Sequence, residues 1–225
     1  MIVLGIETSS RTGSVALCHG EAIVAEHVFP QGVRHARNIM EGIGNVLREA
    51  SVDKKEVNGV AVSQGPGSFT GLRIGVTCAK TLAYTLGWKL VGVPSLEVQV
   101  QNVEPRENQV VCPVQDARRS AVYGTFFEWQ DGRWMDTSGV LIMEPQKLAM
   151  RLPEGACVFG TGVTAYTEVF CPPRFEVGDP SLAQPRARQV ARLGYRMLAE
   201  GVESDPMALV PRYYRPTAAE ENLAE

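Results

Sequence analysis

The sequence predicts an α/β protein of two tandem lobes, each with the element order βββαβα. Three observations lead there. Each half opens with three short apolar runs separated by turn residues, each continues into a helical periodicity, and each then has a further buried strand leading into a helix.

In the first half, "IVLGIE" (2–7) is apolar and "GSVALC" (13–18) follows a polar turn. "AIVAEHVF" (22–29) follows His19-Gly20-Glu21, a tight turn of hairpin type. A helix is expected over about 34–50, with Ala36, Ile39, Met40, Ile43, Val46, Leu47 and Ala50 on one face. Gly42 and Gly44 weaken it but would let another helix approach closely. "GVAVS" (59–63) reads as a short buried strand. A second helix follows over about 72–86, with Gly87 well placed as its C′ residue.

In the second half, "QVVCPVQ" (109–115), "AVYGTFFEWQ" (121–130) and "RWMDTSGVLIM" (133–143) are the three strands, the last two joined by Asp131-Gly132. A short helix at about 145–152, the strand "ACVFG" (156–160) and a helical stretch after Thr161-Gly162 follow. A longer helix over about 185–201 is expected to close the second lobe. The repeat is one of topology, not of residues. It implies a duplicated ribonuclease-H-like, actin-like (ASKHA) fold, divided as 1–102 and 103–202, with the tail from about 203 to 225 free to pack back on the first lobe. Such folds commonly bind nucleotide between their lobes, but a fold alone does not define a function.

Composition sets the limits. Hydrophobic residues are 44% and charged residues 21% of 225, an ordinary globular balance. The net charge of −3 gives no global attraction to nucleic acid or anionic membrane, though it leaves room for a local basic patch. No apolar run approaches the roughly 20 residues of a membrane span. The opening "MIVLGIETSS" lacks a basic region and reads as a strand rather than a signal peptide. Five cysteines include no C-x-x-C pair, and Cys18, Cys112 and Cys157 fall in apolar runs; a reducing cytoplasm without disulfides is expected.

The most distinctive stretch is "SQGPGSFTGLRIGVTCAKTLAY" (63–84), a glycine-rich loop that opens a helix. It is not a P-loop, because Ala79 and Ile74 stand where glycines are required. Gly65, Gly67 and Gly71 miss the G-x-G-x-x-G spacing. Pro66 and Thr70 flank Ser68 where a nucleophile elbow has glycines. Two readings remain. The glycines and helix start could hold an anion, or Ser68 or Thr70 could simply cap the helix. "ETSSRTGS" (7–14), with Glu7, Thr8 and Ser9, is a second phosphate-loop candidate or an ordinary polar turn.

Four segments carry a family resemblance. "GPGSFTGLRIGVTCAKTLAY" (65–84), "GIETSSRTGSVAL" (5–17), "DARRSAVY" (116–123) and "PRYYRP" (211–216) resemble the bacterial TsaB (YeaZ) family, densely over 1–125. Glu7 stands where the family often has aspartate, and Tyr214 where leucine is common. The resemblance implies a cytoplasmic, non-catalytic dimerisation subunit. It would support a TsaD-like catalytic subunit, alongside a TsaE-like ATPase, in forming N6-threonylcarbamoyladenosine at the tRNA adenosine next to the anticodon. Contact with tRNA would be indirect, no membrane is involved, and a homodimer could form in isolation. No intrinsic cofactor is implied, while ATP or ADP at the interface of the complex is compatible with it. Catalytic relatives carry an H-x-x-x-H metal pair; Ser95 and Gln99 occupy those positions here, and neither is a good transition-metal ligand. The resemblance places the partner interface on the two first-lobe helices, at Ile39, Met40, Ile43, Val46, Leu47, Val76, Lys80 and Ala83, residues that could equally be core.

Glu7 and Asp116 could act through Mg²⁺ near an interlobe cleft or merely build turns. Arg188, Arg192 and Arg196, with Arg186 nearby, form a helical stripe suited either to RNA or to solvent. An autonomous ATPase or kinase-like enzyme is the first rival reading, and a metallopeptidase the weaker second.

Overall fold

The structure is a computed structural model in which residues 1–29 and 35–215 are described. The first sheet is a meander of β1 (Ile2–Glu7), β2 (Ser14–His19) and β3 (Ala22–Val28), extended by β4 (Gly59–Gly65) and β5 (Lys89–Pro94) in the order β3-β2-β1-β4-β5. The β1–β4 and β4–β5 pairs are parallel. Helices α1 (His35–Glu49), α2 (Phe69–Leu86) and α3 (Ser95–Val100) complete this part of the chain. β5 and α3 were not expected. "KLVGVP" is a short apolar run immediately after the helix cap at Gly87, and length alone does not separate such a run from a linker.

Successive side chains on a strand face opposite ways. Leu4, Ile6, Val60 and Val62 therefore meet Ile39, Ile43, Val46, Val76 and Ala83 of α1 and α2 on one face. Val3, Cys18, Ala61, Val91 and Val93 point to the other. That second face is covered by α6 (Ala187–Ala199), so the helix expected to close the second lobe packs on the first sheet instead. Small residues permit this. A Cβ on Gly5 would lie 2.4 Å from the Ala187 carbonyl oxygen, and one on Gly194 would lie 2.1 Å from Ala61 Cβ. The Cys18 thiol lies 3.4 Å from the Ala191 carbonyl oxygen that accepts from it. The amphipathic pattern of α6 was legible, but which sheet it would cover was not.

The same contact accounts for the arginine stripe. Arg186 and Arg188 both donate to the buried Glu26 carboxylate of β3. Arg196 donates to the Glu21 carboxylate at 2.8 Å, and Arg192 to the Glu21 carbonyl at 3.0 Å. Burial would push Glu26 up, but the hydrogen bonds and charges of Arg188 and Arg186 outweigh it and hold the carboxyl below its ordinary value. These arginines fasten α6 to the β2–β3 hairpin.

The second sheet contains β6 (Val111–Arg118), β7 (Ala121–Gly124), β8 (Phe127–Gln130), β9 (Arg133–Asp136), β10 (Leu141–Met143), β11 (Cys157–Phe159) and β12 (Glu176–Val177). The runs 121–130 and 133–143, read as one strand each, are both split in two. β7 pairs with β6 and β10, while β8 pairs with β6 and β9. The split is held by the Ser138 hydroxyl, which accepts from Phe126 N, and by Asp136, which accepts from Ser138 N and Gly139 N. Asp131 and Gly132 turn with φ of 50° and 76°, as a two-residue hairpin of this chirality requires. α4 (Pro145–Arg151) and α5 (Thr161–Ala165) lie near their expected places.

Cys18, Cys112 and Cys157 are buried and all five cysteines are free. Burial pushes the Cys18 and Cys157 thiols to about 11. In α1, Gly42 admits Phe29 and Val15 of the sheet side rather than a helix, and Gly44 faces open space. The side chains of His35 and Ala36, the start at Arg34 and the tail beyond Arg215 lie outside the described residues. After α6 the chain returns along the first sheet: Ser204 N donates to the Leu90 carbonyl, Leu209 enters the α1/α2 core, and Arg212 N donates to the Gln64 carbonyl. No described helix is long and apolar enough to cross a membrane.

A methyl group at Gly194 must push α6 off Ala61. Gly194→Ala is expected to lower stability by about 1–3 kcal/mol, the usual cost of overpacking. Urea unfolding checks it; an unchanged midpoint would mean that α6 does not lie on this sheet.

Candidate functional site

The glycine loop and the β1–β2 turn, each a candidate anion holder on its own, occupy one another. Ser68 N donates to the Ser9 carbonyl at 2.7 Å, and the Thr8 hydroxyl donates to the Gly71 carbonyl at 2.8 Å. A Cβ on Gly67 would meet the Ser9 carbonyl oxygen at 2.5 Å, one on Gly71 the Thr8 carbonyl oxygen at 2.0 Å, and one on Gly75 the Thr8 hydroxyl at 2.2 Å. The close backbone approach that glycine permits is therefore taken by the protein's own turn. The start of α2 is capped by Ser68, whose hydroxyl accepts from Gly71 N. The helix begins three residues before the expected Leu72 because that cap supports a first turn the apolar periodicity does not include.

Glu7 lies beneath this junction, fully buried. Its Oε1 accepts from Ser9 N at 2.5 Å and from the Ser9 hydroxyl at 2.6 Å, and its Oε2 is hydrogen-bonded to the Ser63 hydroxyl. Burial raises its pKa, and the bonds from Ser63 and Ser9 offset that only in part. Thr8 is also fully buried. Gly65, at φ 121°, gives its N–H to Ser95 Oγ and lies against the Arg212 carbonyl. Of the six phosphate-loop candidates, only Ser9, Gly67 and Ser68 border open space.

That space is a cleft of about 390 Å³, lined by those three residues together with Arg11, Gln99, Asp116, Arg118, Tyr123 and Thr161. Asp116 builds a turn, as one of its two readings had it: Oδ1 accepts from Arg118 N, and the Thr161 hydroxyl accepts from Asp116 N. Ser95 and Gln99 do share a face of α3 one turn apart. Ser95 serves Gly65, and Gln99 Nε2 donates to the Ala183 carbonyl at 2.9 Å. Gln99 Oε1 is buried without a partner. Among the described residues there is no group of three or more His, Cys, Asp or Glu side chains placed to hold a metal.

The partner-interface residues divide. Ile39, Ile43, Val46, Val76 and Ala83 are core, each at most 4% exposed, because they sit on the sheet side of their helices. Leu47 and Lys80 are half-buried, and Met40 is 58% exposed. Between α1 and α2 runs an apolar groove of about 610 Å³, with Ile39 and Leu82 at its base and Met40, Ile74, Thr77, Cys78, Thr81 and Thr85 along it. Its threonines read as polar in the sequence. Yet Thr81 Oγ1 donates to the Thr77 carbonyl and Thr85 Oγ1 to the Thr81 carbonyl, so these two hydroxyls are satisfied by their own helix. The i, i+4, i+8 spacing of Thr77, Thr81 and Thr85 is the signal that could have located this face. At the groove's end, Arg73 lies 3.9 Å over the Phe69 ring and donates to the Tyr213 hydroxyl at 2.9 Å.

The two sheets, the β3-β2-β1-β4-β5 order and the cleft between glycine loop and second lobe define a bilobal protein of the ASKHA class. A family model described as "TsaD: tRNA N6-adenosine threonylcarbamoyltransferase" matches residues 23–222. The TsaB biosynthesis protein of Bacillus subtilis is 27% identical over 231 residues, covering 100% of this chain and 99% of the relative. YeaZ from Pseudomonas aeruginosa superimposes with a TM-score of 0.82 at 27% identity, covering 94% of this chain and 99% of that one. The threonylcarbamoyltransferase of Syntrophobacter fumaroxidans, 29% identical, covers 55% of this chain and 42% of itself. The chain belongs to this threonylcarbamoyladenosine family, on its TsaB (YeaZ) side.

Because burial raises the folded-state pKa of Glu7, its contribution to stability is greatest below the ordinary value of 4.5 and is lost as pH rises through the raised one. In Glu7→Gln the amide oxygen can accept from Ser9 and the amide nitrogen can donate to Ser63. The variant is expected to be at least as stable as wild type at pH 8, with the difference shrinking or reversing toward pH 4. Thermal unfolding across that range checks the sign; a loss of several kcal/mol at pH 8 would contradict it.

Proposed function

We propose that this chain is a non-catalytic partner subunit, docking a TsaD-like threonylcarbamoyltransferase in the α1/α2 groove to support N6-threonylcarbamoyladenosine formation at the tRNA adenosine next to the anticodon. The observation that carries the reading is the pairing of an open apolar groove with glycine-loop and metal-pair positions committed to internal hydrogen bonds. The relatives named TsaB match end to end, and the transferase over a shorter stretch. A partner helix pair laid on α1 and α2 supplies contact of the order of 800 Å² per side, enough for a stable complex. A TsaE-like ATPase completes the assembly. In the absence of the transferase, the same groove accommodates a second copy of this chain.

One observation favours a second reading. Gln99 Oε1 lacks a donor beside the interlobe cleft, and a small ligand with an N–H or O–H group would supply it. A nucleotide held there, alone or at the interface of the complex, fits this reading. An autonomous ATPase or kinase additionally needs a free carboxylate, and Glu7 is buried beneath the turn.

Two exposed substitutions test the docking face without touching the core. Depleting the protein in its host is expected to remove threonylcarbamoyladenosine from bulk tRNA, measured by mass spectrometry of digested nucleosides. Wild type restores it, whereas Met40→Asp with Thr77→Asp does not and weakens transferase binding at least about tenfold while remaining folded. Full rescue by that double variant would exclude the groove as the docking site, and unchanged modification after verified depletion would remove the function.

A further inference from the structure

The α1/α2 groove is apolar along its length but not at its end. Among the described residues lining it, Arg73 is the one charged side chain. It heads the ridge of α2 that continues through Thr77, Thr81 and Thr85, each one turn further from the helix start. The first turn of α2 carries no acidic residue, so the guanidinium adds its charge to the positive end of the helix. Among the described residues no carboxylate pairs with Arg73, whereas Arg186, Arg188 and Arg196 of α6 are matched to Glu26 and Glu21.

An exposed arginine without an acid samples many rotamers, but this one is held. Its guanidinium carbon lies 3.9 Å over the Phe69 ring and 5.8 Å from the centre of the Tyr213 ring. Its Nε donates to the Tyr213 hydroxyl at 2.9 Å. Tyr213 is fixed in turn. It stacks 4.5 Å from Phe69, and the tail is tied down on both sides of it. Before it, Arg212 N donates to the Gln64 carbonyl at 2.8 Å; after it, the Arg215 guanidinium donates to the Ala117 and Arg118 carbonyls at 3.4 and 3.0 Å. Further back, Gln64 Nε2 donates to the Val210 carbonyl and Lys80 Nζ to the Met207 carbonyl. With Nε given to Tyr213, the two terminal nitrogens of Arg73 remain, the fork that grips a carboxylate through two parallel bonds.

We propose that Arg73 is the polar anchor of the docking groove, gripping an Asp or Glu carboxylate at the end of an otherwise apolar helix of the TsaD-like transferase. The proposal rests on the groove being the transferase's docking site and adds how that helix is recognised and stopped. The apolar floor and the threonine methyls supply contact area but no register, so a partner helix could slide along them by a turn. One fixed charge at one end sets where it comes to rest. Because the rings already hold the guanidinium, pairing costs little further side-chain entropy. Tyr213 is the positioning residue, which gives the returning tail a part in docking although it lies outside both helices.

The test uses the full-length chain and the purified transferase, with affinity measured between about 50 and 500 mM salt. Arg73→Gln is expected to bind roughly tenfold or more weakly at low salt, with a flatter salt dependence. Arg73→Lys restores little, because an ammonium lacks the fork. Tyr213→Phe keeps the ring but removes the hydroxyl, and is expected to cost about two- to fivefold with the salt dependence retained. The decisive readout is charge exchange: Arg73→Glu abolishes binding, and one Asp or Glu of the transferase's docking helices, replaced by Arg, restores it. A merely structural role for Arg73 gives no such rescue. Failure of every acidic position to rescue would overturn the proposal, as would a loss confined to self-association of this chain. If Arg73→Gln binds as wild type while Met40→Asp with Thr77→Asp does not bind, the groove stands and the anchor falls. If neither affects binding, the groove reading itself falls.

Discussion

The rest of the molecule depends on the seating of the Thr8–Ser9 turn in the glycine loop. Two hydrogen bonds, Ser68 N to the Ser9 carbonyl and the Thr8 hydroxyl to the Gly71 carbonyl, lock the end of β1 to the start of α2. Gly67, Gly71 and Gly75 allow the contact because a Cβ at any of them would strike the turn. Glu7 below accepts from Ser9 and is bonded to Ser63, so the ends of β1 and β4 share one buried carboxyl. This junction fixes the direction in which α2 leaves the sheet, and with it the groove against α1.

Seen this way, a loop with the composition of a phosphate cradle is turned inward. Backbone amides at a helix start attract anions because they are unsatisfied and aligned. Here the Ser68 amide is spent on a carbonyl of the same chain, and the cap itself on Gly71. What remains available to other molecules lies at the two edges of the junction. One edge is the apolar groove along Ile74, Thr77, Cys78 and Thr81, and the other is the polar cleft bordered by Ser9, Gly67 and Gln99. Arg73, Phe69 and Tyr213 stand at the end of the groove and connect it to the returning tail.

Much of the fold was legible in the sequence because its signals are local. The β1–β3 meander, the Asp131-Gly132 hairpin, both first-lobe helices and the Gly87 cap follow from spacing and turn chemistry. What escaped was set by tertiary choice. α6 has an apolar stripe that could cover either sheet, and only the missing side chains of Gly5 and Gly194 admit it to the first. The runs 121–130 and 133–143 were read as one strand each through the turn cluster Asp136-Thr137-Ser138-Gly139, where Ser138 and Asp136 accept the bonds that make the break. The candidate site was half legible. Glycines signal close approach without naming what approaches, and a helix apolar around most of its circumference does not say which side is core. Ile43 and Val76 were therefore named as partner residues that could equally be core, and core is what they are, while the methyl faces of Thr77, Thr81 and Thr85 were passed over as polar.

The most direct measurement is hydrogen–deuterium exchange of the full chain with and without a saturating TsaD-like subunit. Docking through the α1/α2 groove requires new protection in peptides spanning Met40 and 73–85, with little change in β11, β12 and α4. Protection confined to the second lobe, with α1 and α2 exchanging as in the free chain, would contradict the claim that the glycine junction exists to present a partner surface.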